Sequence, residues 1–301
     1  MTLQQLKYVT EVADCRSFTE AAKRLFISQP SLSLAVHELE TELNINLFRR
    51  KSRGVLLTAE GEEFLNYARQ VVQEASLIED RYIKHTAVKK RFAVSTQHYS
   101  FTAGAFIELV KELGTESYDL SLREGRTADV ISDVRTLRSE IGVIYLSSFN
   151  EQVLERQLNE SGLVFTELYS AQPHIFIGRR HPLAGRGKVT LRELEPYPCL
   201  SYDQGEGSAF YYSEEILSNR ETVRSIKVTD KSTIIDLMSA TDSYTISSGI
   251  APGFLRGDEI VSIPLDVPEV IRIGAVTQKN SRPTTIGERY MEILRGLIPK
   301  D

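Results

Sequence analysis

Ser28, Gln29, Pro30, Ser31, Ser33, Leu34 and His37 fall in one ten-residue stretch, and Arg49, Arg50, Lys51 and Arg53 follow shortly after. Hydroxyl and amide side chains bond base edges or phosphates, and a leucine can meet a thymine methyl. Four cations in a short loop suit a phosphate backbone, whose contacts position a protein without reading sequence. As a set, this is chemistry for duplex DNA.

The elements that must position these groups follow from local pattern. Leu3, Leu6, Val9 and Ala13 recur at helical spacing, which predicts a first helix with one apolar face. Ser17 stands three residues before Glu20, a capping-box pattern that opens a second helix burying Phe18, Ala21, Ala22 and Leu25. Ile27-Ser28-Gln29-Pro30 reads as a tight turn: Ser28 caps, and Pro30 loses no hydrogen bond in a first helical turn. A third helix then points Leu32, Val36, Leu39 and Leu43 inward. Gln29, Ser31, Ser33, Leu34 and His37 face outward near its N-terminal half, the part with which a recognition helix reads bases. Leu47-Phe48 and Val55-Leu56-Leu57-Thr58 flank a turn containing Gly54, which predicts a β-hairpin, or wing, with the cations at its tip.

Net charge is −5, but residues 1–91 carry fourteen Lys/Arg against twelve Asp/Glu, a net of +2 that leaves −7 for residues 92–301. That asymmetry assigns any phosphate contact to the N-terminal part. Cys15 and Cys199 are far apart, which argues against a disulfide or metal site and predicts neutral thiols in a reducing cytoplasm. No leader pattern opens the chain and no apolar run approaches a membrane span. His37, His85, His98, His174 and His181 are scattered, and no phosphate-cradling or His-Glu-x-x-His motif occurs. The residues therefore predict no catalytic site, no metal and no cofactor. The alternative is a cytoplasmic enzyme or solute-binding protein of two-lobed α/β fold.

From Thr58 to about His85, Phe64, Ala68, Val71, Ala75, Ile78 and Tyr82 step by four and three. This heptad seam predicts a long helix that pairs with another helix. The body from Phe92 alternates short apolar runs with helical patterns, which predicts α/β with mostly parallel strands. A βαβαβ unit spans Phe92–Tyr145. A second begins near Val164 and includes a helix over Phe210–Leu217. Ligands bind such sheets beyond the strands' carboxyl ends. Four loops qualify there: Ser95-Thr96-Gln97-His98-Tyr99-Ser100; Gly125, Arg126 and Thr127 after Glu124; Tyr202, Gln204 and Gly205 with Asp203 and Glu206; and Ser247-Ser248. Arg126 beside the acids Asp203 and Glu206 suits a small zwitterion such as an amino-acid-like metabolite.

The chain resembles the LysR-type transcriptional regulators along its whole length. The resemblance rests on Phe18-Thr19-Glu20-Ala21-Ala22, Leu25, Ser28-Gln29-Pro30-Ser31-Leu32-Ser33, Leu39-Glu40, Leu43, Leu47-Phe48-Arg49-Arg50 and Leu57-Thr58-Ala59-Glu60-Gly61. Leu34 and His37 depart from it, since members often carry Arg, Gln or Lys there. The resemblance implies an α+β multidomain chain with a winged helix-turn-helix at 1–58 and a linker and dimerisation helix at 59–88. An effector-binding domain at 89–301 has two α/β lobes of periplasmic-binding-protein-like architecture: lobe I about 89–163 and 266–301, lobe II about 164–265. It further implies antiparallel pairing of linker helices in a dimer or tetramer, promoter DNA as partner, and effector contacts in the four loops. RNA polymerase is a further partner if the protein activates. Members controlling sulfur-amino-acid supply are similar in general look.

Overall fold

The computed structural model describes residues 1–51, 54–83, 89–205, 210–218, 220, 222–250, 259–279 and 281–297. The chain forms two compact units, Met1–Lys89 and Lys90–Asp301.

The first unit opens with α1 (Leu3–Cys15), α2 (Phe18–Arg24) and α3 (Gln29–Leu43), each started by a hydroxyl cap. Thr2 and Gln5 close a reciprocal capping box at α1. At α2, Ser17 accepts from the Glu20 N–H at 3.3 Å, whereas the Glu20 carboxylate turns to Lys23 at 3.7 Å, so the predicted box is half made. The core of α1 is Leu6, Val9 and Val12, with Leu3 exposed and Ala13 only partly covered. Ala21 and Ala22 let α2 sit close to α3, which buries Leu32, Val36 and Leu39. Strands β1 (Phe48–Lys51) and β2 (Gly54–Leu57) pair antiparallel as the wing. The Glu40 carboxylate accepts from the N–H groups of Leu47 (2.7 Å) and Phe48 (3.1 Å), fixing the wing's start to α3.

Helix α4 (Ala59–Tyr82) starts at Thr58, whose hydroxyl accepts from Gly61 N–H at 2.9 Å. The predicted seam divides in two. Ala68 is buried and Phe64 packs on the helix-turn-helix core, together with Leu65, whereas Val71, Ile78 and Tyr82 are 49%, 60% and 66% exposed. The reason is α1, which docks along α4 through the ion pairs Lys7–Glu79 (3.3 Å) and Arg69–Asp14.

The second unit is built on two five-stranded mixed sheets. In the first, β3 (Lys90–Thr96), β4 (Tyr118–Glu124) and β5 (Ile141–Leu146) run parallel through α5 (Ser100–Leu113) and α6 (Thr127–Arg135). An amphipathic α7 (Glu151–Glu160), absent from the sequence-based expectation, buries Leu154 and Leu158 behind β5. Strand β6 (Leu163–Ala171) then pairs with β12 (Ile271–Gln278), which also pairs with β5, both antiparallel. The expected lobe limit at 163 is therefore displaced: β6 belongs to the first sheet, and the chain crosses over between Ala171 and His174.

The second sheet holds β7 (His174–Gly178), β8 (Cys199–Tyr202), β9 (Ser225–Val228), β10 (Tyr244–Ser247) and β11 (Ile260–Pro264), in the order β11-β7-β10-β8-β9. A short α8 (Leu191–Leu194) precedes β8, and α9 (Lys231–Ala240) seats Ile234 and Met238 on Leu200 and Val228. The last helix, α10 (Thr285–Leu297), returns to the first sheet, where buried Tyr290 packs on Phe92 and bonds the Thr102 carbonyl at 3.2 Å. Strands β7 and β12 run antiparallel to both neighbours, so the expectation of mostly parallel strands is corrected to mixed sheets.

The predicted helix over Phe210–Leu217 is also corrected. A single 3₁₀ turn (Phe210–Tyr212) gives way to irregular chain. Carbonyls that would accept helical bonds accept from the first lobe instead: Tyr212 from the Thr127 hydroxyl (2.7 Å) and Ser213 from the Tyr145 hydroxyl (2.9 Å).

At Gly61 a Cβ would stand 2.1 Å from the Leu47 carbonyl oxygen, a backbone atom that cannot rotate away. Gly61→Ala is expected to destabilise the first unit by about 2 kcal/mol or more, since forced overpacking costs 1–3 kcal/mol. Thermal unfolding followed by circular dichroism checks this; an unchanged midpoint would contradict the packing of α4 on the wing.

Candidate functional site

The first site is a surface. Ser28 caps α3 by accepting from Ser31 N–H at 3.2 Å, and the two hydroxyls lie 2.7 Å apart. Beyond this cap, Ser33, Leu34 and His37 share one face of α3 and border a shallow hollow with Phe18, Glu40 and Phe48. Leu34 is 58% exposed, and His37, Ser31, Pro30 and Arg49 are exposed or half-exposed, while Gln29 and Ser33 are half-covered. Phe26, in the turn before α3, holds a left-handed φ of 55° and is 94% exposed, a feature the apolar pattern does not single out. The side chains of Arg50 and Lys51, and Arg53 entirely, lie outside the described residues. Arg49 sits on β1 opposite Leu56.

The second site lies in the second unit, where its lobes meet. The expected loops divide sharply in role. Ser95, Thr96 and Gln97 are buried within the first lobe: Ser95 donates to Asp133 (2.7 Å), and Gln97 bonds Tyr145 N–H (2.9 Å) and Thr127 (2.5 Å). Thr96 turns its hydroxyl onto the Gln97 carbonyl at 2.8 Å. They hold the fold, and none of them lines the cavity described below. Arg126 reaches across to Asp203, donating Nε to its carbonyl (3.0 Å) and pairing with its carboxylate (3.3 Å). Gly205, at φ 82°, leaves the space this needs: a Cβ there would stand 2.4 Å from Arg126 Nη1. The Thr127 N–H donates to Gln204 at 3.4 Å. The two charges expected to hold a zwitterion, Arg126 and Asp203, thus hold each other, and Glu206 lies outside the described residues.

A cavity of about 440 Å³ opens between α9, the second sheet and the start of α5. Of the expected residues it collects His98, Tyr99, Ser100, Tyr202 and Ser247. Gly125, Arg126 and Thr127 stay outside it, as does Ser248, which is buried. Gln204 and Gly205 instead line a separate hollow of about 310 Å³ behind Tyr202. The floor of the main cavity is apolar, with Phe176, Ile234, Ile235, Met238 and Ile246. Its polar wall is a buried network. His98 stacks on Tyr202 with centroids 3.9 Å apart, and its Nδ1 lies 2.8 Å from the Glu214 carboxylate. That carboxylate also accepts from His98 N–H (3.1 Å) and the Gln204 amide (2.9 Å). Next to it Glu215, 6% exposed, accepts from Tyr202 N–H at 2.7 Å. Burial first, and the neighbouring Glu214 second, push the Glu215 carboxyl up to about 8.

Comparison with known proteins decides the class. Residues 3–62 match the model of the bacterial regulatory helix-turn-helix protein, lysR family, and residues 116–297 match the LysR substrate binding domain. The chain belongs to the LysR family. These are DNA-binding transcriptional regulators with an effector-binding domain. The HTH-type transcriptional regulator YnfL of Escherichia coli K12 is 31% identical over 248 residues, 79% of this chain and 79% of its own. CysL of Bacillus subtilis 168 is 29% identical over 221 residues, 71% of this chain and 69% of its own. A full-length OxyR variant from Pseudomonas aeruginosa shares the fold, with a TM-score of 0.62 at 20% identity, covering 99% of this chain and 94% of that one.

Within this LysR-family chain the sequence reading misses Glu214 and Glu215, the two acids that wall the cavity. Their only local signal is a Glu-Glu pair inside what reads as a helix. Cys199, expected as a neutral thiol, is held up at about 11 by burial, far from the thiolate that redox chemistry requires.

Burial holds the Glu215 carboxyl up at about 8, above its ordinary value of 4.5, so the folded state binds the extra proton between these values. Stability is therefore lost as pH rises across that window, on the order of a few kcal/mol. In Glu215→Gln this decline should be absent, which makes the variant the more stable form above pH 8. Urea unfolding of both proteins from pH 5 to 9 checks this; parallel curves would contradict the buried, uncompensated acid.

Proposed function

We propose that residues 1–58 bind promoter DNA with α3 in the major groove and the β1–β2 wing on the backbone. Ser28, Gln29, Pro30, Ser31, Ser33, Leu34 and His37 would meet the groove, and Arg49, Arg50, Lys51 and Arg53 the phosphates. The observation that carries this reading is the outward face of Ser33, Leu34 and His37, free of core packing and following a capped helix start. The linker helix, residues 59–88 in this reading, pairs two chains through the exposed Val71, Ile78 and Tyr82. An apolar stripe on a long helix needs a partner surface. Residues 89–301 take the effector, and the 440 Å³ cavity is its site, being concave and apolar with few polar groups converging on it.

Effector binding shifts the lobes between arrangements that engage DNA differently, which requires unequal affinity for the two. The protein works in the cytoplasm without catalysing a reaction, and it contacts RNA polymerase where it activates. No described helix is long and apolar enough to cross a membrane.

Replacing Arg49, Arg50, Lys51 and Arg53 with Ala should weaken binding on every duplex. It should also reduce the slope of log affinity against log salt by about one for each phosphate left without its cation. Ser33→Ala or His37→Ala should change the ranking of sites, each by about 1–3 kcal/mol at one base pair. Fluorescence anisotropy titrations on cognate and scrambled duplexes separate the two. Equal losses on both duplexes from the Ser33 and His37 variants would contradict the recognition-helix assignment.

A further inference from the structure

The cavity's charged groups can be paired off one by one. Lys231 is held by Glu124, and Arg179 has a partner of its own. Glu214 is engaged by the backbone N–H and ring of His98 and by the Gln204 amide. Among the described residues Glu215 has no cation paired with it: its bonds are to the Tyr202 and its own backbone, and the charge acting on it is the Glu214 carboxylate. The start of α5 would ordinarily attract an anion, since Tyr99 makes no side-chain cap there. Just ahead of that start, however, the Glu214 carboxylate already accepts from the His98 N–H and lies 2.8 Å from its ring Nδ1. A ligand carboxylate arriving there meets two buried acids.

Resting on the reading of this cavity as the effector site, we propose that the effector is a small organic cation: an amine with an apolar body. The body lies on Phe176, Ile234, Ile235 and Met238, and the ammonium faces Glu215. The Ser262 hydroxyl, which lines the same cavity without a hydrogen-bond partner among the described residues, offers a further acceptor. A charge-assisted bond to a buried carboxylate contributes about twice a neutral one, so charge on the ligand is what the site discriminates. Binding converts Glu215 from acid to carboxylate and sends its proton to the solvent.

Three phenyl-bearing probes of similar length and different heads test this on the full chain: phenethylamine, phenethyl alcohol and phenylacetate. Calorimetry near pH 7 in buffers of different ionisation enthalpy should show the amine binding tightest, with close to one proton released. Glu215→Gln, which matches the protonated side chain in shape, should weaken the amine about tenfold, to the level of the alcohol, and abolish the proton release. Ile235→Trp, which puts an indole where the apolar body would lie, should remove binding of all three. Tightest binding by phenylacetate, insensitive to Glu215→Gln but lost in Ile235→Trp, would overturn the cationic class while leaving the cavity as the effector site. Binding that survives Ile235→Trp would overturn the cavity itself. Failure of the amine to bind the wild-type chain would also overturn the proposal.

Discussion

Among the described residues the chain passes between the two sheets of the effector domain twice, between β6 and β7 and between β11 and β12. Two tethers leave their mutual orientation open, so it has to come from polar groups of one lobe satisfied by the other. The segment Tyr211–Glu215 supplies most of them. Although it lies in the part of the chain that builds the second sheet, its carbonyls accept from Thr127 and Tyr145, and the Tyr212 hydroxyl donates to Gln157 on α7 at 2.5 Å. The Arg126–Asp203 pair adds a second fastening. Each neutral bond contributes a net of about 0.5–1.5 kcal/mol, so the set amounts to a few kcal/mol. That is the range in which differential ligand affinity can reset a two-state equilibrium.

The same strap forms part of the cavity wall. Glu214 and Glu215 close its polar side while their neighbours fasten the lobes together, so a molecule that rearranges these acids also acts on the lobe contact. Burial gives the arrangement its sensitivity. A carboxyl group in water is indifferent to a small displacement, whereas one removed from solvent depends on every partner it retains. The apolar floor under α9 contributes affinity for a hydrophobic body without regard to charge, and the acids provide the discrimination.

Features written in local chemistry are legible in the order of residues alone. Hydroxyl caps at Ser17 and Ser28, Pro30 in a first turn and the Gly54 hairpin each act within a few residues, and α1 to α3 and the wing form as expected. The strands and helices of the first βαβαβ unit are equally legible from apolar periodicity. What escapes depends on distant partners. The segment after Phe210 has helical composition, yet hydroxyls from Thr127 and Tyr145 take its carbonyls. Ser95, Thr96 and Gln97 have the look of ligand-binding residues, but buried groups such as Asp133 and Tyr145 claim them. Glu214 pairs with His98 across more than a hundred residues, a separation at which no spacing rule operates. The antiparallel return of β12 is hidden for the same reason, since a strand's direction in a sheet is set by its neighbours.

In the first unit four cations stand together within residues 49–53, while Glu79 and Asp14 pair with Lys7 and Arg69 between α1 and α4. The central claim is that one chain couples groove reading by α3 to the state of a cavity in its effector domain. The most direct test is footprinting of the full protein on its own upstream intergenic DNA, wild type beside Ile235→Trp. The account predicts protection of the same core site by both, with a different extent or phasing of flanking protection when the cavity is filled. Identical footprints would contradict the coupling, and the absence of a protected site with the wild-type protein would contradict the account as a whole.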